Sequence, residues 1–207
     1  MEHQAAAEHL EVIRTLMERS ALYRRTLAPI MLYVGSVGTL ASAGGFALGI
    51  ESLFAFGVWW LAAALVALAG AFVIARRQAL ADGEPFWSPP TLRVTQAMVP
   101  PLAAGLILSL ATVLAAGSGE RRSLFVIPNA FFYGCAVHAA GFFMPRGMKV
   151  FGWLIIGLTG VALLVVAWVA PIPSAGLDHA FMGALFGALH LAYGVYLYVT
   201  EPRKRPA

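Results

Sequence analysis

The sequence predicts an all-α membrane protein in which six transmembrane helices follow a cytoplasmic amphipathic helix. Hydrophobic residues make up 60% of the 207 residues and charged residues only 12%, whereas soluble domains carry about 25% charged residues. The apolar residues form six separate runs, each close to the roughly 20 residues that cross a bilayer. Basic residues flank these runs without forming a patch with interleaved aromatic residues, so a lipid bilayer is the expected partner and nucleic acid is not.

The N-terminal segment, residues 1–26, precedes the first apolar run. Within it, residues 4–25 are predicted to form an amphipathic helix. The apolar face of that helix consists of Ala6, Leu10, Ile13 and Met17. Four glutamates balance four arginines in this segment, whereas a helix that lies on a membrane surface carries a polar face rich in Lys and Arg. We therefore expect this helix to dock on the bundle or on a protein partner in preference to lipid.

The bundle is predicted over residues 27–200. Its six spans are 27–50, 53–75, 99–116, 124–143, 150–170 and 181–199. Only Glu51 and Ser52 separate the first two spans, which predicts a tight hairpin with Ser52 as a helix cap. Residues 78–98 are predicted to form the one sizeable loop because they contain the irregular, proline-rich stretch DGEPFWSPP. Pro128 is expected either to kink the fourth span or to mark its start.

The distribution of basic residues predicts the orientation. Of the 14 Lys and Arg residues, 12 lie on the side that holds the N-terminal segment, two connecting segments and the basic tail, residues 201–207. Only Arg121 and Arg122 lie on the other side. Because Lys and Arg are retained in the cytoplasm during insertion, we expect both termini there.

Glycines line one face of the fourth and of the sixth span, and each face carries a histidine. On the sixth span the face consists of Gly183, Gly187, His190 and Gly194, and on the fourth it consists of Gly134, His138 and Gly141. Small residues allow transmembrane helices to approach closely. We therefore expect the two spans to be neighbours, with both faces turned inward and the histidines at similar depth.

The two histidines admit three interpretations. The simplest is an interhelical hydrogen bond, which contributes about 0.6 kcal/mol on average in membranes. The second is paired ligation of haem or a metal ion, for which neutral imidazole is suited. The third is contact with a proton or a substrate. Asn129 and Tyr133, one turn apart on the fourth span, either point polar groups inward or bond a neighbouring helix.

Charged and polar residues cluster at the outer helix ends. These residues are Glu51, Glu120, Arg121, Arg122, Asp178 and His179. We expect a solvated rim, with a small anionic-ligand site as the alternative. Asp178 is expected to cap the sixth helix.

The predicted spans contain no Asp, Glu, Lys or Arg. Ionisable residues inside membranes mark ion and proton pathways, so a coupled transporter built on a buried carboxylate is disfavoured. A passive pore and an oligomeric carrier are the alternatives. The sequence has no HExxH, GxxxxGK[ST], GxSxG or CxxC motif. The single cysteine, Cys135, excludes an internal disulfide framework and a thiolate metal cluster. We expect no catalytic residue, no metal site and no resident cofactor.

The opening EVIRTLMERSALYRRTLAP and the closing GALFGALHLAYGVYLYV resemble an uncharacterised family of small bacterial six-span membrane proteins. The matching residues are Ile13, Arg14, Met17, Glu18 and Arg19, followed by Gly187, His190 and Gly194. His138 has no counterpart in the family pattern. The resemblance implies an inner-membrane location and no reaction. Members of the family look like companions of winged-helix regulators, which suits a protein-binding N-terminal helix.

Together these features predict a non-enzymatic protein of the bacterial inner membrane. It would engage a protein partner through residues 4–25, or a second copy of itself through its glycine-rich faces. One alternative is a haem- or metal-binding redox protein that uses His138 and His190. The other is a small-solute channel or transporter.

Overall fold

A computed structural model describes residues 26–83, 85–114, 122–144, 147–169 and 174–200. Over these ranges the chain is helical, with short connections and no strand. The predicted amphipathic helix and the basic tail lie outside the described ranges. The all-α class predicted from the sequence is therefore confirmed for the apolar bundle.

Six helices make up the described part of the chain. They are α1 (Thr26–Ala47), α2 (Leu53–Ala81), α3 (Pro89–Leu114), α4 (Ser123–Ala140), α5 (Gly147–Val169) and α6 (Ala175–Thr200). Five of them are long and apolar enough to cross a membrane, whereas the apolar stretch of α4, Phe125–Ala140, is shorter. One π-helical turn, Gly183–Ala188, lies within α6.

The start of α3 is the largest departure from the predicted boundaries. The helix begins at Pro89, and Pro100 and Pro101 lie inside it. Proline fits a first helical turn because the N–H groups there have no partner within the helix. The Ser88 hydroxyl lies 3.1 Å from the Thr91 hydroxyl at this start. The sequence interpretation began the third span at residue 99, whereas the helix begins ten residues earlier.

The connection between α2 and α3 is therefore shorter than the loop predicted over residues 78–98. Because α2 continues to Ala81 and α3 begins at Pro89, only residues 82–88 connect the two helices. Pro128 likewise lies within α4, which begins at Ser123. The option that Pro128 marks the start of the fourth span is therefore wrong.

A tight turn joins α1 to α2, and we call this end of the bundle the upper end. Gly49 has a φ of +62°, a left-handed conformation that glycine adopts without steric cost. The backbone N–H of Ile50 donates to the carbonyl of Gly45 at 3.1 Å, as in a Schellman C-cap. The Ser52 hydroxyl accepts from the N–H of Ala55 at 3.2 Å, which confirms the predicted cap.

The helices α1 and α6 cross through glycines on both partners. A Cβ atom at Gly35 of α1 would lie 2.6 Å from the backbone nitrogen of Leu191. One at Gly187 of α6 would lie 2.6 Å from Oγ1 and 2.9 Å from the backbone nitrogen of Thr39. Similar contacts oppose Gly38 with Phe186, Gly183 with Ser42, and Gly194 with Leu32. The glycine face of α6 is therefore a packing surface, as predicted, but its partner is α1.

The glycine face of α4 packs on α5. A Cβ atom at Gly134 would lie 2.9 Å from Cγ1 of Ile156, and one at Gly141 would lie 2.7 Å from the backbone nitrogen of Lys149. On its other side α4 packs against α3. The two glycine faces thus contact α1 and α5 and do not meet each other.

Buried apolar side chains form two clusters at opposite ends of the bundle. The upper cluster is Ala41, Leu53, Phe56, Trp60, Phe125, Val126 and Met182. The lower cluster is Leu27, Ala28, Met31, Val137, Met148, Phe151, Ile155 and Leu197. Because α1, α4 and α6 contribute to both clusters, these three helices form the middle of the bundle.

We expect the glycines of the α1–α6 crossing to be sensitive to a single added methyl group. Gly187→Ala should lower the free energy of unfolding by about 1–3 kcal/mol, because the methyl group overpacks the contact with Thr39. Unfolding of the detergent-solubilised protein, followed by helical circular dichroism, measures the difference.

Gly157 of α5 offers a matched control, because a Cβ atom there meets no heavy atom within 4 Å. Gly157→Ala should leave stability unchanged, or raise it by up to about 1 kcal/mol through helix propensity. Equal effects of the two substitutions would contradict the crossing.

Candidate functional site

His190 of α6 and Tyr133 of α4 form a buried polar pair between the two clusters. His190 is 0% exposed. Its Nδ1 lies 2.8 Å from the carbonyl oxygen of Leu185, and its Nε2 lies 2.7 Å from the Tyr133 hydroxyl. Since a carbonyl only accepts, Nδ1 carries the proton and Tyr133 donates to Nε2. The structure thus supplies the interhelical hydrogen bond predicted for His190.

The π-helical turn explains why the Leu185 carbonyl lies within reach of the ring. The N–H of Leu189 bonds the carbonyl of Ala184, five residues earlier, so the backbone pattern slips by one residue beside Leu185. Single π-turns of this kind are frequent at functional sites. The His190 ring also packs between aromatic neighbours, with Phe151 edge-on at 4.9 Å and Phe186 stacked at 6.2 Å between centroids.

His138 lies in a different environment from His190. It is half-buried at the lower end of α4, and its Nδ1 lies 3.3 Å from the carbonyl oxygen of Lys149 on α5. Its ring packs edge-on against Phe142 and Trp153. The two histidines share neither a hydrogen bond nor a ring contact, so the described structure does not bring the two rings together. Within the described ranges, no group of three or more His, Cys, Asp or Glu side chains could hold a metal ion.

Asn129 bonds a neighbouring helix, which is one of the two roles that the sequence predicted for it. The Ser109 hydroxyl of α3 lies 2.7 Å from Oδ1 of Asn129 and 2.7 Å from the carbonyl oxygen of Gly105. The Asn129 amide donates to the carbonyl of Phe125 at 2.7 Å. These bonds tie α3 to α4. The sequence interpretation had not singled out Ser109.

At the upper end, an ion pair joins α4 to α6. Nε of Arg122 lies 2.9 Å from Oδ2 of Asp178, and Nη1 of Arg122 donates to the backbone carbonyl of Glu51 at 2.6 Å. Asp178 is only 5% exposed, so the expected solvated rim is wrong at this residue.

The expected cap is also wrong, because the Ser174 hydroxyl accepts from the N–H of Leu177 and caps α6. Glu120 and Arg121 lie outside the described ranges.

His179, next to Asp178, makes hydrogen bonds to several other segments at this end. It is 1% exposed, which again contradicts a solvated rim. Its backbone carbonyl accepts from Ser42 of α1 at 2.7 Å, and its Nδ1 accepts from Nε1 of Trp60 on α2 at 3.2 Å. Its Nε2 lies 3.0 Å from the carbonyl oxygen of Ile50, in the α1–α2 turn. The ring therefore ties α6 to α2 and to the α1–α2 turn, and the backbone carbonyl ties it to α1.

The sequence interpretation missed Trp60, and it placed Ser42 on a close-packing face of the first span without giving it a polar partner. Trp60 lies in an apolar run without a polar neighbour in sequence, and Ser42 lies among the small residues of α1. The only sequence signal for Ser42 is its place on the glycine-rich face of the first span. Trp60 carries a single N–H donor, and a buried indole usually finds a hydrogen-bond partner.

Comparison with known proteins gives no relative from which a function could be taken: no family model, curated protein or solved structure matches the chain.

We expect the Tyr133–His190 pair to show direct energetic coupling. Tyr133→Phe leaves a buried imidazole nitrogen without a donor and should cost about 1–3 kcal/mol. In a double-mutant cycle with His190→Ala, the coupling should be about 0.6 kcal/mol and at most about 1.7 kcal/mol, as for other interhelical bonds in membranes. Unfolding of the four variants in detergent gives this value.

Ser109→Ala provides the control for this cycle, because Ser109 bonds α4 without contacting His190. Its effect should add to that of His190→Ala. Zero coupling between Tyr133→Phe and His190→Ala would show that the hydrogen bond does not contribute to stability.

Proposed function

We propose that this protein is a non-enzymatic bundle of the bacterial inner membrane that works by associating with a second copy of itself or with a protein partner. Both termini lie on the cytoplasmic side in this proposal, because the basic residues favour that orientation. Its apolar exterior supports a lipid surrounding: Leu40 is 72% exposed, Leu114 79% and Trp168 86%. The observation that carries the association is the outer face of α5.

The outer face of α5 has a notch at its centre. A Cβ atom at Gly157 or at Gly160 would meet no heavy atom within 4 Å. The glycines of the α1–α6 and α4–α5 contacts are, by contrast, filled by neighbouring helices. Exposed tryptophans, Trp153 and Trp168, lie on either side of the notch along the helix. We call this surface, from Trp153 to Trp168, the α5 face.

Close helix approach in lipid depends on such small residues, because lipid tails are as apolar as leucine and burial of apolar surface gives no net driving force. A helix from another chain can gain van der Waals contact in the notch that lipid tails do not match as well. Tryptophan favours the membrane–water interface, so Trp153 and Trp168 fit a helix that crosses the whole membrane. The surface suits a helix as its partner.

The polar residues in the middle of the bundle support a structural role over a redox one. His190 has both ring nitrogens engaged, by Leu185 and Tyr133. Ligation of haem or a metal by this ring would therefore require the loss of the bond to Tyr133. The family resemblance at the N-terminal segment adds a second route to a protein partner, through residues 4–25.

The test combines the association state with a bulky substitution in the notch. Wild type should cross-link as a dimer in native membranes, or co-purify with a partner, and Gly157→Leu with Gly160→Leu should abolish this because the leucines fill the notch. Ala64→Leu, on an exposed position of α2, is the matched control and should leave association intact. Light scattering of the purified protein in detergent reports the mass of each species.

The unfolding temperature of the notch variant should stay within a few degrees of wild type, since a Cβ atom at either position meets no heavy atom of the described residues within 4 Å. A wild-type protein that is monomeric in membranes and free of any partner would contradict the proposal. Association that persists unchanged in the notch variant would contradict the assignment to the α5 face.

A further inference from the structure

We propose that the lower end of the gap between α1 and α2 binds the headgroup of an anionic phospholipid, with Arg76 and Arg77 of α2 in contact with its phosphate. We call this surface, which consists of the two arginines and of Thr26 at the start of α1, the headgroup site. The proposal rests on the membrane setting of the proposed function and is independent of association through the α5 face.

The Tyr33 ring of α1 fixes how the lower halves of α1 and α2 lie against each other. A Cβ atom at Gly70 of α2 would overlap this ring, and the Tyr33 hydroxyl donates to the carbonyl of Val66 at 3.1 Å. Thr26 lies seven residues below Tyr33, and Arg77 lies seven residues below Gly70. Seven residues are nearly two turns and about 10 Å of helix. Arg77 and Thr26 therefore lie at about the same level, each on the face that turns towards the other helix.

The gap between the two helices is open at this level. Arg77 is exposed although it lies on the side of α2 that faces α1. Val73, within about 60° of Gly70 around the helix, is 46% exposed. On α1, Pro29 lies within about 40° of Tyr33 and is also exposed. None of residues 61–81 of α2 is buried, so a ligand has room beside Arg77.

The positive charge of the headgroup site is not neutralised by the described residues. Arg76 and Arg77 are exposed, and neither forms an ion pair in the part of the chain that the structure describes. Asp82, the described carboxylate that follows them in the sequence, accepts from the side-chain amide of Gln78 at 2.9 Å. An anion is therefore the ligand that complements the site.

The sequence that leads into α1 adds positive charge to the same end. Arg24 and Arg25 directly precede Thr26, whereas the nearest glutamate in that direction, Glu18, is eight residues from Thr26. This order favours an anion from outside the chain over a carboxylate of the N-terminal segment.

The depth of Arg77 favours a lipid as the source of that anion. Arg77 lies 24 residues after Leu53, the first residue of α2, which corresponds to about 36 Å of helix. The hydrocarbon core is about 30 Å thick, so a helix that begins at one membrane surface places Arg77 among the headgroups of the other. Guanidinium groups bind phosphate oxygens through two parallel hydrogen bonds. The acyl chains of the same lipid can lie along Val73 and Pro29.

Lipid titration of the full chain in detergent, followed by native mass spectrometry, tests the headgroup site. Phosphatidylglycerol should bind more tightly than phosphatidylcholine with the same acyl chains, because the choline cation offsets the phosphate charge. Arg77→Gln should weaken phosphatidylglycerol binding about fivefold, and Arg76→Gln with Arg77→Gln about 25-fold, from the attraction of each basic residue for anionic lipid. Higher ionic strength should weaken phosphatidylglycerol binding to the wild-type protein.

Arg93→Gln is the matched control. Val113 of α3 lies against Gly57 of α2, and Arg93 and Arg77 each lie 20 residues below this contact, so both are at about the same level. Arg93 is exposed but lies about 160° around α3 from Val113, away from α2. Its substitution should change phosphatidylglycerol binding less than twofold.

A charge-retaining variant separates a binding role from a structural one. Arg76→Lys with Arg77→Lys should recover most of the binding that the glutamine variant loses. The glutamine variant keeps ten basic residues on this side, the original 12 less two, against two on the other. Its orientation in the membrane should therefore be that of the wild-type protein.

Equal binding of the two lipids by the wild-type protein overturns the proposal, and this result is expected if carboxylates of the N-terminal segment occupy the arginines. Equal losses in Arg77→Gln and Arg93→Gln overturn it as well, since they indicate a general attraction of the lower end. Displacement of phosphatidylglycerol by an equal concentration of inorganic phosphate contradicts a lipid site. A chain recovered in the soluble fraction of cells would contradict the proposed function too, whereas loss of lipid selectivity alone leaves that function intact.

Discussion

The helices α1 and α6 approach so closely that backbone atoms of one occupy the space that a side chain would take on the other. At Gly35 and Gly187 the nearest atoms of the partner helix include its main chain. Hydrophobic burial does not drive such a contact in lipid, and van der Waals packing and hydrogen bonds do. The positions of α2 and α4 follow, because α2 shares the upper cluster with this central pair and α4 shares both clusters with it.

Polar side chains are buried where this crossing brings helices together. His179 lies over Gly45 at the upper end, and His190 lies eleven residues further along α6, beyond the π-helical turn, against Tyr133. Each imidazole has both nitrogens engaged, as a buried polar group requires. His179 and His190 differ in the segments that they connect. His190 joins α6 to α4 in the middle of the bundle, whereas His179 connects the upper end of α6 to α1, α2 and the turn between them.

Much of the fold could be predicted from the sequence, because apolar runs and glycine faces are local signals. The helix that packs on a glycine face could not be predicted, because a glycine such as Gly187 indicates a close helix contact without indicating which helix makes it. Asp178 and His179 look like a solvated helix end in sequence. Their burial depends on Gly45, Trp60 and Arg122, which are distant in the chain. The start of α3 was misplaced because Pro100 and Pro101 suit a first helical turn as well as Pro89 and Pro90 do, and the helix begins at the earlier pair.

Cysteine cross-linking across the α1–α6 crossing tests the central claim most directly. Ala43 and Ala180 line the two sides of the groove between these helices, and both are exposed. In a Cys135→Ala background, Ala43→Cys with Ala180→Cys should be joined by a short bis-maleimide within one chain in native membranes. Ala43→Cys with Leu164→Cys, which places the second thiol on α5, should not be joined. Cross-linking of the α5 pair with none across the groove would contradict the account.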